Sequence, residues 1–184
     1  LPRDLSREAA QAWIKDRAAL SRALCEALTS VKIVVTPTAD SSTIVVDYGL
    51  SFAKMIKLGG YDSVDSFITA ERFPISGNGT VERKFVLVHL GREATTDEVL
   101  AKMKRRGLKS AVIEDVFAFG IAHPDEQRKF PIIGLGSPWI DERNFRNFAC
   151  LDEYDGKREL NLSWIFPCAG RLWDDHCRFL ARCE

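Results

Sequence analysis

The sequence predicts an α+β fold in which a helix and a small α/β flanking region precede a second mixed unit. Two observations lead to this class. Apolar residues recur at helical spacing over 7–29, whereas several later runs alternate or are rich in β-branched residues, as strands are. With 184 residues, 46% of them hydrophobic, the chain can bury one sizeable core and a small flanking subdomain.

The first element is an amphipathic helix over 7–29, with Ser6 as its N-cap. Its apolar stripe needs a partner surface, which we expect to be the rest of the chain. Two β-branched runs, 31–36 and 43–48, follow with a polar loop between them. This pattern is typical of a strand–loop–strand unit and predicts a hairpin.

The chain then predicts a short helix and a linker. Residues 51–58 fit a two-turn helix that ends at Gly59, followed by Gly60, because glycine adopts the left-handed conformation at little cost. The glycine-rich segment 76–80 is the best linker. We therefore expect two units, 1–79 and 80–184.

The second unit begins with a strand at 81–90, whose two faces are both largely apolar, so a central position is expected. Thr95 and Glu98 form a capping box that starts a helix over 95–106. Another apolar helix ends before Pro124. In the rest of the sequence, apolar residues recur with the period of strands. We predict strands at 131–139, 145–151, 158–165 and 178–183.

The charge balance argues against several classes of partner. The chain has 26 basic and 26 acidic residues, so no global attraction to nucleic acid or to an anionic membrane is expected. No apolar run approaches the roughly 18 to 20 residues that span a bilayer. We expect a soluble, cytoplasmic protein, although the start at Leu1 leaves room for a segment upstream.

The five cysteines favour reduced, structural thiols. Their odd number and the lack of a Cys-x-x-Cys pair argue against a disulfide framework or a zinc ribbon. No metal, cofactor or catalytic residue is predicted. The alternative is a thiol- or metal-dependent enzyme built on the C-terminal cluster of Cys168, His176, Cys177 and Cys183.

Candidate binding residues are the aromatic and charged side chains of the loop-rich C-terminal strands, since loops on a rigid sheet commonly carry function. They are Trp139, Asp141, Arg143, Trp164, Trp173, Asp174, Asp175 and His176. The loops expected to present them are 139–147, 152–157 and 167–176. Gly134 and Gly136 resemble a phosphate loop only superficially, because a strand pattern rather than a helix follows. Close packing of a strand against a neighbour is the better interpretation.

From residue 81 onward the order strand, helix, helix and four strands resembles the C-type lectin-like domain. The segment 133–135 resembles that family's Gly-Leu strand, and Trp173-Asp174-Asp175 with Cys177 and the final Cys183-Glu184 resembles its Trp-Asn-Asp and Cys-Glu features. The whole chain, including 68–75, is also similar to uncharacterised proteins of uncultured bacteria.

The lectin-like resemblance implies that the first and last strands of the unit pair and that the later loops bind a ligand. Neither of the family's calcium-binding tripeptides, Glu-Pro-Asn and Gln-Pro-Asp, occurs, so calcium-dependent sugar binding is not expected. The favoured hypothesis is a non-enzymatic module that binds a protein or a small molecule. The main alternative is an assembly or adaptor protein that oligomerises through helix 7–29.

Overall fold

Residues 41–165 and 172–183 are described by the computed structural model, and they form an α+β fold. Its helices are α1 (Phe52–Gly59), α2 (Thr96–Arg105) and α3 (Ile113–Ala122), with a 3₁₀ helix at Glu126–Arg128. Its strands are β1 (Ser41–Asp47), β2 (Ser63–Val64), β3 (Thr80–Val88), β4 (Leu108–Ser110), β5 (Ile132–Ile133), β6 (Trp139–Ile140), β7 (Arg146–Tyr154), β8 (Lys157–Ile165) and β9 (Arg178–Cys183). The predicted helix 7–29 and strand 31–36 lie outside the described residues.

The strands join one sheet in the order β1-β3-β9-β5-β7-β8-β2, with β4 beside β9 and β6 beside β7. β3 lies between β1 and β9 and is antiparallel to both. The opening and closing strands of the predicted second unit are therefore neighbours, as expected. The inner position of β3 also confirms the expectation drawn from its two apolar faces.

The sheet continues across the predicted linker. β1 pairs with β3 in a register that sets Asp47 opposite Thr80. Ile44 and Val46 of β1 share a hydrophobic core with Phe85 of β3. The described residues on both sides of 76–80 thus belong to one sheet and one compact unit.

Each face of the sheet carries its own hydrophobic core, because neighbouring residues of a strand point to opposite faces. On β7, Ala149 and Leu151 belong to one core, while Phe148 and Cys150 belong to the other. Helices α1 and α3 cover the first core. Helix α2 and the segment 172–177 supply residues to the second. No helix among the described residues is long and apolar enough to cross a membrane.

The predicted strand over 131–139 is divided into β5 and β6 by a tight turn. A Cβ atom on Gly136 would lie 2.6 Å from the carbonyl oxygen of Ala111, and one on Gly134 would lie 2.4 Å from Val116 Cγ2. The glycines therefore allow the backbone to approach the start of α3 closely. This confirms the close packing inferred from the sequence and explains why the strand stops.

The predicted loop over 152–157 is much shorter in the structure. β7 and β8 pair through Tyr154 and Lys157, which leaves only Asp155 and Gly156 as the turn. Both turn residues have positive φ, 51° and 74°, as a type I′ hairpin turn requires. The Asp-Gly dipeptide is the signal for this hairpin.

Candidate ligand-binding cleft

An open cleft of about 560 Å³ lies where β6 and β7 meet the connection that follows β2. Its lining combines aromatic rings with charged and amide side chains. The lining residues are Asp65, Phe67, Arg72, Trp139, Asp141, Glu142, Arg143, Asn147 and Leu162. Three of the predicted binding residues, Trp139, Asp141 and Arg143, thus come together at one place.

The connection after β2 is anchored on both sides of Phe67. Asp65 donates its backbone N–H to Leu160 O of β8 at 2.9 Å, and Ile68 and Phe73 are buried in the core. Asp65 Oδ1 accepts the N–H of Phe67 at 2.8 Å, which closes a tight turn. The Phe67 side chain is thereby left at the surface, 50% exposed and lining the cleft.

Two rings and a guanidinium group form one wall of the cleft. The rings of Phe67 and Trp139 stack with centroids 5.7 Å apart and planes inclined by 20°. The Arg72 guanidinium carbon lies 4.8 Å from the Phe67 centroid and 4.6 Å from the Trp139 centroid. Cation–ring contacts of this kind are attractive, so the rings hold the guanidinium in a defined position.

The turn after β6 is organised by Asp141. Its Oδ1 accepts the backbone N–H of Arg143 at 3.0 Å and that of Phe145 at 2.9 Å. Asn144 takes a positive φ of 65° at the tip, a conformation that asparagine tolerates. The amide of Asn147 donates to Trp139 O at 3.3 Å and to Phe145 O at 3.2 Å. The backbone that carries Arg143 is therefore well ordered.

Side chains of opposite charge line the cleft, and those of the described residues do not pair with one another there. Arg72 and Arg143 line it together with the carboxylates of Asp65, Asp141 and Glu142. Within the described residues, neither arginine side chain makes an ion pair or a hydrogen bond. As far as 41–165 and 172–183 are concerned, both guanidinium groups therefore have donors available for a ligand.

No family model, curated protein or solved structure matches this chain.

Trp173 occupies the second hydrophobic core instead of a binding surface. It is 6% exposed, and its ring packs edge-on against Phe148 and Phe179 at 5.9 and 5.6 Å. Its indole N–H donates to Thr96 Oγ1 at 3.1 Å, and its backbone pairs with Ala94. A ligand at the surface cannot reach this ring. For Trp164 the structure describes the backbone alone, which pairs with Asn147.

Asp174, Asp175 and His176 lie on an exposed turn before β9, and none of them lines the cleft. Asp174 Oδ1 accepts the N–H of His176 at 2.8 Å, and this hydrogen bond lowers the pKa of the Asp174 carboxyl. One ligand atom from each of the three side chains lies within 4.8 Å of the others. His89 is exposed, and its Nε2 lies 2.8 Å from Asp175 O.

Two of the described thiols, Cys150 and Cys177, have little nucleophilic character. Cys150 and Cys177 are buried, and burial raises the pKa of each thiol. A raised pKa keeps a thiol protonated and therefore unreactive. Cys168, the fourth member of the predicted enzymatic cluster, lies outside the described residues.

Phe67 and Arg72 were not among the residues predicted for the site. They belong to a stretch that looked irregular because its period is neither 2 nor 3.6. The available signal was the presence of apolar Phe67, Ile68, Phe73 and Ile75 among polar residues. Such a composition indicates a connection that packs partly on the core, but it does not reveal which strand lies beside it.

Proposed function

We propose that this protein is a non-enzymatic binding module and that the cleft beside Trp139 takes a small molecule or a short segment of a partner protein. The observation that carries the proposal is the stack of the half-exposed Phe67 with Trp139, against which lies Arg72, whose side chain has no ion pair or hydrogen bond among the described residues. Aromatic rings and arginine are the residues that most often dominate binding energies at protein surfaces.

The size and construction of the cleft favour the same function. Its volume falls within the range of roughly 300–1,000 Å³ typical of small-molecule sites. Its walls come from a sheet and from a connection anchored to that sheet, so the geometry exists before a ligand arrives. A preformed site loses less conformational entropy on binding than a flexible one.

A lectin-like organisation of the strands is part of this proposal. In such a domain the first and last strands pair and the intervening loops bind. Here β3 pairs with β9, and the turn after β6 lines the cleft. The cleft does not use the exposed turn at 174–176, so the proposed site depends on aromatic and arginine contacts.

Fragment binding followed by two-dimensional NMR tests the proposal. In a screen of small aromatic and polar fragments, we expect hits to shift the amide signals of 65–72 and 139–147. Phe67→Ala should weaken these hits about tenfold or more, because it removes half of the stack.

Tyr154→Ala is the matched control, since Tyr154 is an aromatic residue with 74% exposure outside the cleft. It should leave the affinity of every hit unchanged. Hits that map to another surface, or equal losses in both variants, would contradict the proposed site.

A further inference from the structure

We infer that the cleft selects ligands that carry a carboxylate next to an apolar ring, with Arg72 pairing the carboxylate and Phe67 contacting the ring. The inference rests on the proposed function and assigns that site a class of ligand. It follows from which charged groups of the cleft already have hydrogen-bond partners and which do not, among the described residues.

The contacts of Arg72 with the two rings leave its guanidinium group available to a ligand. Contact with the two rings uses none of the N–H donors of Arg72, which project from the edge of the guanidinium plane. Those donors have no partner among the described residues. A planar fork of this kind matches a carboxylate through two parallel hydrogen bonds.

Two of the three carboxylates of the cleft, those of Asp65 and Asp141, accept backbone hydrogen bonds through one oxygen each. Asp65 Oδ1 accepts one backbone N–H and Asp141 Oδ1 accepts two, which orients each group toward its own turn. Among the described residues, Arg72 forms no ion pair with these two groups or with Glu142, the third acidic residue of the cleft. Because the cleft as a whole is not positively charged, selection depends on short-range pairing at Arg72 and not on a general attraction of anions.

The aromatic half of the ligand has its own contact surface. Phe67 is 50% exposed, so one part of its ring is open to a second ring while another part contacts Trp139. Arg143 stands on the rigid turn of Asp141 and also has no ion-pair partner among the described residues. It supplies a second cation at the same cleft.

Phenylacetate and phenylacetamide are matched probes, since they share size and ring and differ in charge. Titrating each into the ¹⁵N-labelled full chain should give shifts at 65–72 and 139–147, with the acid binding at least about tenfold more tightly. Arg72→Gln should reduce this preference to less than about twofold, while Arg72→Lys, which keeps the charge but not the planar fork, should retain part of it.

Arg105→Gln makes the same change of net charge at an exposed arginine of α2, and it should preserve the full preference. Equal affinities for acid and amide at the cleft would overturn the inference and leave the proposed binding function intact. A preference that survives Arg72→Gln in folded protein would also overturn it. Shifts from neither probe at the cleft would also overturn the inference, while the fragment screen tests the proposed function separately.

Discussion

The indole of Trp173 is enclosed by aromatic neighbours, whereas that of Trp139 lines an open cleft. Both residues were predicted to bind a ligand, and the type of residue could not separate them. Burial separates them, because Trp173 has its N–H satisfied by Thr96 inside the core. A buried ring with a satisfied donor contributes to stability, and a half-exposed ring remains available for recognition.

Trp173→Ala should therefore destabilise the fold by about 3–5 kcal/mol, the usual cost of removing a large buried aromatic side chain. Urea denaturation measures the change in the free energy of unfolding. Leu172→Ala, at a neighbouring side chain that is 44% exposed, is the control and should cost less than about 1 kcal/mol. Similar small losses in both variants would contradict the core position of Trp173.

Among the elements, those with local end signals match the sequence prediction most closely. Thr95 and Glu98 form the expected capping box, with N–H donation in both directions at 3.2 and 2.8 Å. A hydrogen bond from Arg92 and the N–H of Thr95 lower the pKa of Glu98 from 4.5 to about 2. Gly60 ends α1 with a φ of 60°. The bounds of elements without such signals depend on contacts with backbone that is distant in the chain. The clearest case is the strand that is divided around Gly136.

Gly136→Ala tests this dependence at the turn between β5 and β6. A Cβ would meet carbonyl oxygens of Ala111 and Ser110 at 2.6 and 2.8 Å, and backbone cannot move aside as a flexible side chain can. The expected cost is about 2–3 kcal/mol of unfolding free energy, measured by chemical denaturation.

Gly107→Ala provides the comparison, because Gly107 has a φ of 64° but open space around its Cβ position. It should cost only the strain of a left-handed residue, about 1–2 kcal/mol. If Gly136→Ala proves the milder of the two changes, the close approach at Ala111 is not a determinant of the fold.

At the scale of the whole molecule, Arg158 joins elements that are far apart in the chain. Its side chain is 8% exposed and donates to Gly59 O at 2.7 Å, Gly120 O at 3.0 Å and Gln127 Oε1 at 3.1 Å. Gly59 and Gly120 lie in the last turns of α1 and α3, where helix dipoles place partial negative charge. A buried cation is thus stabilised by carbonyl groups of two helices and an amide.

Arg158→Met should cost about 3 kcal/mol or more, because it leaves several buried carbonyl groups without donors. Thermal and urea unfolding should report the loss as one cooperative transition at lower stability. Lys157→Met, at the exposed neighbouring position of β8, should change stability by less than about 1 kcal/mol. Comparable stability of the two variants would argue against this network.

The sequence by itself determined the α+β class, the three described helices and most of the strands. Their signals are local: a capping box, a glycine stop, an apolar face at a fixed period. It also grouped Trp139, Asp141 and Arg143, which line one cleft in the structure, since these residues are close in the chain. For the same reason it grouped Trp173 with Asp174, although only the latter is exposed.

Only the tertiary structure decided which distant segments meet. It set β1 against β3 across the predicted linker and brought Phe67 and Arg72 to the ring of Trp139. These contacts arise because each segment buries apolar residues, such as Ile44, on a shared sheet. The hydrophobic effect is non-directional and acts between residues at any separation in the chain. A local sequence pattern therefore shows that an apolar face will be buried, but it does not show which segment will cover that face.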